Sequence, residues 1–509
     1  MRHKILPIAK AANAFKKLRS EGKKIVQCHG TFDLVHPGHV IHFEEAKKLG
    51  DVLVVTMTAA SHVNKGPGRP FFNDSLRAKV LASLEVVDHV VVIPHPAAVE
   101  AIQLVRPHVY CKGVEYRKAA NDVTGNIQND VTTVNRLGGK VRYVGSVVFS
   151  STRLLNNHFD SHDPKVQEFC RSLSRRFSPP AFKEAVDSFS GIRVLVVGEV
   201  IFDRYNTVNV QGLTSKNKIL SARHLREETH LGGAMAVVRH LKEFTPNVRL
   251  ATVTGPEPWV TRALQAHQGS LRGHLALRGR STIVKQRFVE PKSEGKELSK
   301  LFSLNFIDNE PLDSQAEKKF LRRLGPLVSW ADVILVMDFG HGLMTRPIRE
   351  FLESSAKFLS INCQTNSNNF GFNVINRRYH RADSFSLDQA EITLAVGKRK
   401  FDAEKELGNL RRHLHSRYAW LTRGGQETIG CTPRSVCHCS SFENNVVDTV
   451  GAGDAFCALA TLSAARSLPL EAATFIGQLA GAQAVRVPGN AEPVLKAKLL
   501  KSGMSLLNF

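Results

Sequence analysis

From Lys24 onward the chain alternates short apolar runs with segments of helical periodicity, and this alternation constrains the fold most. Lys24–Cys28 and Asp51–Thr56 read as strands, and Val90–Ile93 and His108–Cys111 continue the series. Between them, His39–Leu49 reads as a helix with Val40, Phe43 and Ala46 on one side, and Asp74–Glu85 as a second helix capped by Asp74. Strands that are apolar throughout need cover on both faces, which the intervening helices supply. The pattern predicts an α/β chain of doubly wound, parallel sheets.

At 509 residues the chain exceeds one ordinary core, and the pattern breaks once. The expected layout is an extension at 1–23, a first domain at 24–155, a partly helical linker at 156–190 and a second α/β domain at 191–509. The linker carries Arg171, Arg175 and Arg176 before Pro179-Pro180, and Ile192–Val197 opens the second domain. Val208–Thr229, turning at Gly212, is expected to form a small β-lid. With no run of eighteen apolar residues and no secretory leader pattern, the expectation is a cytoplasmic protein without a membrane span. Eight cysteines over this length do not make a disulfide framework. Cys431, Cys437 and Cys439, with only His438 between them, read as reduced thiols in a β-rich stretch ahead of a zinc site. The net charge of +23 is dispersed, without a basic run or an aromatic stripe. It suits an enzyme of phosphorylated ligands as well as it suits nucleic acid, and no nucleic-acid partner is expected.

The strand ending at Cys28 runs into His29-Gly-Thr-Phe-Asp-Leu-Val-His-Pro-Gly-His39 and directly into a helix. Two imidazoles and a glycine then sit at a helix N-terminus, where N–H groups and the helix dipole favour an anion. Attack on an α-phosphate builds negative charge as pyrophosphate leaves, and imidazole donors stabilise that transition state beyond the ground state. Two histidines at this spacing are ordinarily structural; the motifs around them say otherwise. Residues 24–155 resemble the cytidylyltransferase-like nucleotidyltransferases through Gly30-Thr31-Phe32-Asp33, His36-Pro-Gly-His39, Lys65-Gly, Arg69-Pro, Arg77, Lys112-Gly-Val-Glu-Tyr116 and Ser150-Ser-Thr152. The resemblance implies a Rossmann-like domain in which His36 and His39 act on the α-phosphate. It gives Lys65 and Arg77 to phosphate oxygens, Ser151 and Thr152 to the β- and γ-phosphates, and Thr31, Phe32 and Lys112 to the nucleotide. A solvated helix charge is the competing reading of Arg77, and Asp33 is expected to brace the loop.

The second motif is Asp448-Thr-Val-Gly-Ala-Gly-Asp454, ahead of a small-residue helix at Ala455–Ala460. Backbone N–H groups of Gly451, Ala452 and Gly453 suit a transferring γ-phosphoryl group, and Asp454 at the helix start suits a base for the attacking hydroxyl. From about Arg193 to Pro493 the chain resembles the ribokinase-like carbohydrate kinases. That resemblance implies sugar contacts from Asp203, Gly232, Gly233 and Asp338, and a substrate phosphate on Lys285 and Arg287. It also implies a nucleotide edge at Thr422 and Gly425, and magnesium organised through water by Asp388 and Glu391. Three stretches depart from the family: Ala236-Val-Val238 stands for Asn-Val-Ala, Asp388-Gln-Ala-Glu391 for Asn-x-x-Glu, where two carboxylates can still do the work, and Asn362-Cys-Gln-Thr-Asn366 for Asp-Pro-Lys. The phosphate machinery is expected intact and the sugar pocket altered.

A kinase and a nucleotidyltransferase are chemically consecutive when the sugar is phosphorylated at its anomeric hydroxyl. The pair resembles the bifunctional heptose 7-phosphate kinase/heptose 1-phosphate adenylyltransferases, which supply ADP-heptose for lipopolysaccharide, with the halves reversed. The resemblance implies Mg2+, ATP as phosphoryl donor, ATP or CTP as nucleotidyl donor and a sugar phosphate as substrate; a homodimer is the expected assembly. Two other readings are a monofunctional nucleotidyltransferase with a non-catalytic kinase-like domain, and a nucleic-acid binder whose affinity falls with salt.

Overall fold

A computed structural model describes the chain except for residues 1, 67, 118–125, 146–155, 157–162, 292–298 and 367–368. The chain divides into two compact units, one of Met1–Ser174 with Leu500–Phe509 and one of Arg175–Leu499. The boundary thus falls inside the stretch read as a linker, between the helices Pro164–Ser174 and Pro179–Asp187. The last ten residues, expected in the second domain, group with the first.

In the first unit, α1 (Ile8–Ser20) precedes β1 (Ile25–Gly30), α2 (Pro37–Lys47), β2 (Val52–Thr58), α3 (Asp74–Ser83) and β3 (His89–Ile93). Then follow α4 (Val99–Val105), β4 (Val109–Gly113), α5 (Asn126–Arg136) and β5 (Lys140–Val144). The strands form a parallel sheet in the order β3-β2-β1-β4-β5. β2 is buried at every position, as expected of a strand covered on both faces. The order reverses direction between β1 and β4, and ligands of open α/β sheets bind beyond the strand ends at such a point. The extension is not loose chain: Ala11 and Phe15, one turn apart on α1, are fully buried against Val54 and Val91 of the sheet. The cap of α3 is Asn73, whose side chain accepts from Leu76 N. Asp74, expected in that role, instead accepts from Ala60 N and from Arg77.

The second unit is built on a nine-stranded sheet ordered β10-β9-β6-β13-β14-β15-β16-β17-β18. Its strands are β6 (Val194–Gly198), β9 (Val248–Thr254), β10 (Gly273–Ala276), β13 (Val333–Asp338), β14 (Leu359–Cys363) and β15 (Ser384–Asp388). At one edge lie β16 (Tyr418–Thr422), β17 (Glu427–Cys431) and β18 (Val436–Ser440), the last two added antiparallel. All eight cysteines are free and buried. A second sheet, β12-β11-β7-β8, is the lid. It is larger than expected, pairing β7 (Val200–Leu213) with β8 (Leu220–Gly233) and adding β11 (Ile283–Glu290) and β12 (Ser299–Phe306). Gly212, at φ +101°, marks a shift in the β7–β8 register; the hairpin closes later, where Thr214 N donates to Ile219 O. Among the described residues no helix is long and apolar enough to cross a membrane.

Candidate active sites

The first site lies where β1 ends. His36 is the N-cap of α2 and Pro37 its first residue, so φ is preset for the first turn and no side-chain hydrogen bond caps the helix. His39, one turn on, stacks its ring on His36 with centroids 3.9 Å apart. Phe32, held at φ +48°, meets His39 edge-on at 5.3 Å and packs on Phe43. Burial, then the neighbouring His36 and Lys65, push His39 down to about 3, and burial lowers His36 as well. Both rings are therefore neutral near pH 7. Each neutral ring carries one N–H, which is what an arriving phosphate needs.

Asp33 accepts from Phe71 N at 2.9 Å and Phe72 N at 3.0 Å and pairs with Arg69. It braces the loop that carries Lys65, as expected from the sequence. Burial and nearby cations lower Lys65 to about 8. Arg77 is not a solvated charge: its buried guanidinium donates to Thr31 O at 2.5 Å, Thr58 O at 3.0 Å and Asp74, while its Nε has no hydrogen-bond partner. These bonds fix the backbone of Thr31 and Thr58. Lys112, at the end of β4, is 3.3 Å from Asp130 and lies over the rings of Tyr110 and Tyr116. Ser151 and Thr152 lie outside the described residues.

The second site is a cavity in the second unit. Its lining brings together Asp203, Gly233, Lys285, Arg287, Asp388, Glu391, Thr422, Gly451, Gly453 and Asp454, all singled out from the sequence. Gly451, at φ +85°, is the N-cap of the helix Ala452–Ala465, and Asp454 sits in its first turn. No neighbouring atom would meet a Cβ at Gly453, so its backbone faces open space. Burial pushes Asp454 up to about 7, against a 2.6 Å hydrogen bond from Gln364 that favours its ionised form. A base poised near neutrality is what abstraction of a hydroxyl proton calls for.

Strand register brings the lid residues together. Asp203 on β7 pairs in register with Lys285 on β11, and Arg287 hydrogen-bonds Asp203. A Cβ at Gly232 would overlap Asp203 Oδ2, so that glycine is required for the carboxylate's position, although it does not itself line the cavity. Asp388 and Glu391 form a capping box: Asp388 accepts from Glu391 N at 2.8 Å and Glu391 from Asp388 N at 2.7 Å. Burial and the adjacent Asp388 raise the Glu391 carboxyl well above its ordinary range.

Three expected residues stand elsewhere. Asp338 is fully buried, accepts from Tyr379 Oη at 2.7 Å, Gly340 N at 2.9 Å and Asn373, and so holds the turn after β13 outside the cavity lining. Gly425 lies in an exposed turn and Ala452 inside the helix start; neither lines the cavity. Ala236, at one of the three departures, is buried within the helix Ala234–Lys242 and is not part of the lining. Asn362 and Gln364 are, and they form a relay in which Gln364 Nε2 donates to both Asn362 Oδ1 and Asp454 Oδ1. Asp448 was missed as an individual residue. It accepts from Tyr205 Oη at 2.7 Å, Lys300 at 2.7 Å, Val450 N and Gly489 N, and so ties the glycine turn to the lid. Its place at the head of the motif was the available signal.

Comparison with known proteins finds two family matches, Cytidylyltransferase-like over residues 28–157 and pfkB family carbohydrate kinase over residues 355–497. Among curated proteins, the Bifunctional protein HldE of Aliarcobacter butzleri is 44% identical over 127 residues, covering 24% of this chain and 26% of the relative. Those of Magnetococcus marinus and Desulfatibacillum aliphaticivorans are 37% and 34% identical, covering 29% and 30% of this chain and 30% and 31% of theirs. The match thus spans under a third of each relative's length. Among solved structures, the Phosphofructokinase-2 of Escherichia coli in complex with potassium aligns with 62% of this chain and 99% of its own at 12% identity and a TM-score of 0.48.

Proposed function

We propose that this chain, which carries a cytidylyltransferase-like region and a pfkB-type carbohydrate kinase region, makes an activated sugar nucleotide in two consecutive steps. In the kinase unit, a sugar phosphate lies with its phosphate toward Lys285 and Arg287 and its hydroxyls toward Asp203. Asp454 takes the proton of the anomeric hydroxyl as that oxygen bonds to the γ-phosphorus of ATP and ADP leaves. The N–H groups of Gly451–Gly453 face the charge that spreads over the transferring group.

The oxygens of Asp388 and Glu391 are hard donors suited to Mg2+, and two carboxylates this close to one cavity favour a cation. Mg2+ would neutralise phosphate charge there. The capping box holds both carboxylates in place for it.

In the first unit, an oxygen of the sugar 1-phosphate attacks the α-phosphorus of ATP or CTP and pyrophosphate leaves. His36 and His39 donate to the phosphate as its charge grows, and Lys65 offsets charge on the neighbouring oxygens. Positioning and preformed donors do the work, and no covalent intermediate forms.

The observation that carries this reading is convergence. Asp203, Lys285 and Arg287 from the lid meet Asp388, Glu391 and Asp454 from the main sheet's helix starts in one cavity. A heptose 7-phosphate is the sugar we propose first, with a homodimer in the cytoplasm as the working form. The test is a panel of sugar phosphates and sugar 1-phosphates incubated with ATP or CTP and Mg2+, with ADP and pyrophosphate read separately. Pyrophosphate without ADP across the panel would leave a monofunctional nucleotidyltransferase; release of neither would refute both assignments.

A further inference from the structure

The residues that close the first unit come from the far end of the chain. Ser502 lies against Gly66: a Cβ on that glycine would meet Ser502 Cα at 3.4 Å and its carbonyl oxygen at 3.5 Å. Asn156, buried, donates to Ser505 O at 2.8 Å and Asn508 O at 3.1 Å, while its Oδ1 accepts from Arg69 at 2.8 Å. Leu506 and Leu507 are buried, and Arg171 lies over the ring of Phe509 at 5.3 Å. The tail is therefore bound through the same loop, Lys65–Arg69, that carries the phosphate-facing lysine.

We propose that Lys501, one residue from the Gly66 contact, is a second cation of the nucleotidyl-transfer site and binds the triphosphate of the incoming nucleotide together with Lys65. This rests on the reading of the first unit as a nucleotidyltransferase. After burial, Lys501 is among the cations that lower both Lys65 and His29, the latter at the end of β1, as its place beside the Ser502–Gly66 contact requires. Asp33, itself paired with Arg69, is the carboxylate that opposes these cations at Lys65, and a bound triphosphate adds further negative charge beside them. The site takes its charge from Leu500–Phe509, a segment outside the sequence motifs that define the domain.

The test uses the full chain and three variants: Lys501→Gln, Lys501→Arg, and a chain ending at Leu499. Pyrophosphate release is followed against nucleoside triphosphate concentration at saturating sugar 1-phosphate, with ADP release from the kinase unit measured alongside. Loss of a charge-assisted phosphate contact, at roughly 1.5–3 kcal/mol, corresponds to about a 10- to 100-fold change. Lys501→Gln is expected to raise the KM for the nucleotide by about ten-fold or more, with a smaller change in KM for the sugar 1-phosphate and unchanged ADP release. Lys501→Arg should recover most of the affinity, and the shortened chain should be at least as impaired as Lys501→Gln. An unchanged nucleotide KM in Lys501→Gln, beside an active wild type, overturns the proposal alone. A wild type that releases no pyrophosphate with any sugar 1-phosphate overturns the underlying reading, and this proposal with it.

Discussion

Replacing Asp454 with Asn separates what the carboxylate does for chemistry from what it costs the fold. The substitution keeps the shape, and the Asn carbonyl oxygen can still accept from Gln364, as Asp454 does at 2.6 Å. Phosphorylation is expected to fall by about 10²–10⁴-fold, the range for losing a general base. Stability should move the other way. The carboxyl is raised from 3.8 to about 7 by burial, so the folded state resists an ionisation that the unfolded chain undergoes freely. A raised acid leaves stability intact below the unfolded pKa and removes it as pH climbs toward the folded one. The variant's advantage over wild type should therefore grow by about 1.4 kcal/mol per pH unit between roughly pH 4 and 7, then level off, with a ceiling on the order of 4 kcal/mol. Urea unfolding of the kinase unit's transition at several pH values from about 5 to 8 reads this directly, beside ADP release with a sugar phosphate the wild type accepts. An advantage that does not change with pH, or a variant that still phosphorylates, would refute the reasoning.

His39→Ala should lower pyrophosphate release by about 10²–10³-fold, the effect of removing one transition-state donor, and leave ADP release intact. Gln364→Leu removes the hydrogen bond that favours ionised Asp454, so the rising limb of the phosphorylation pH profile should move to higher pH. Gly232→Ala pushes a methyl group onto Asp203 Oδ2 and should raise the KM for the sugar roughly ten-fold or more, with about 1–3 kcal/mol lost in thermal unfolding. Asp388→Asn preserves the helix cap but removes a charge, so phosphorylation should need more Mg2+ and recover when it is supplied.

The α/β class, the central strands and both glycine- or histidine-bearing turns were legible because their signals are local. A strand buried on both faces, such as β2, must be apolar throughout, and a helix start that approaches a phosphate must be small. Roles that depend on distant partners were not legible. Arg77 looks identical in sequence whether its guanidinium meets a phosphate or the carbonyls of Thr31 and Thr58, and only the fold brings those carbonyls under it. Asp338 likewise reads as a site acid until Tyr379, far along the chain, is seen to hold it. The lid's extent depended on β11 pairing with the distant β7, Ile283 beside Ile201, and no local pattern announces that. Leu506 and Leu507 resemble any apolar helix end, so nothing in them tells which unit they cover.

That the first unit is assembled from Met1–Ser174 and Leu500–Phe509 bears on how the protein is made. A ribosome adding about 5–20 residues per second takes on the order of half a minute over the intervening Arg175–Leu499. For that interval the earlier-born unit lacks its closing segment, with Asn156 and the Lys65 loop still uncovered, while the later-born unit gathers all its strands without waiting. The half that emerges first is thus the half completed last, because its closing segment follows the whole of Arg175–Leu499.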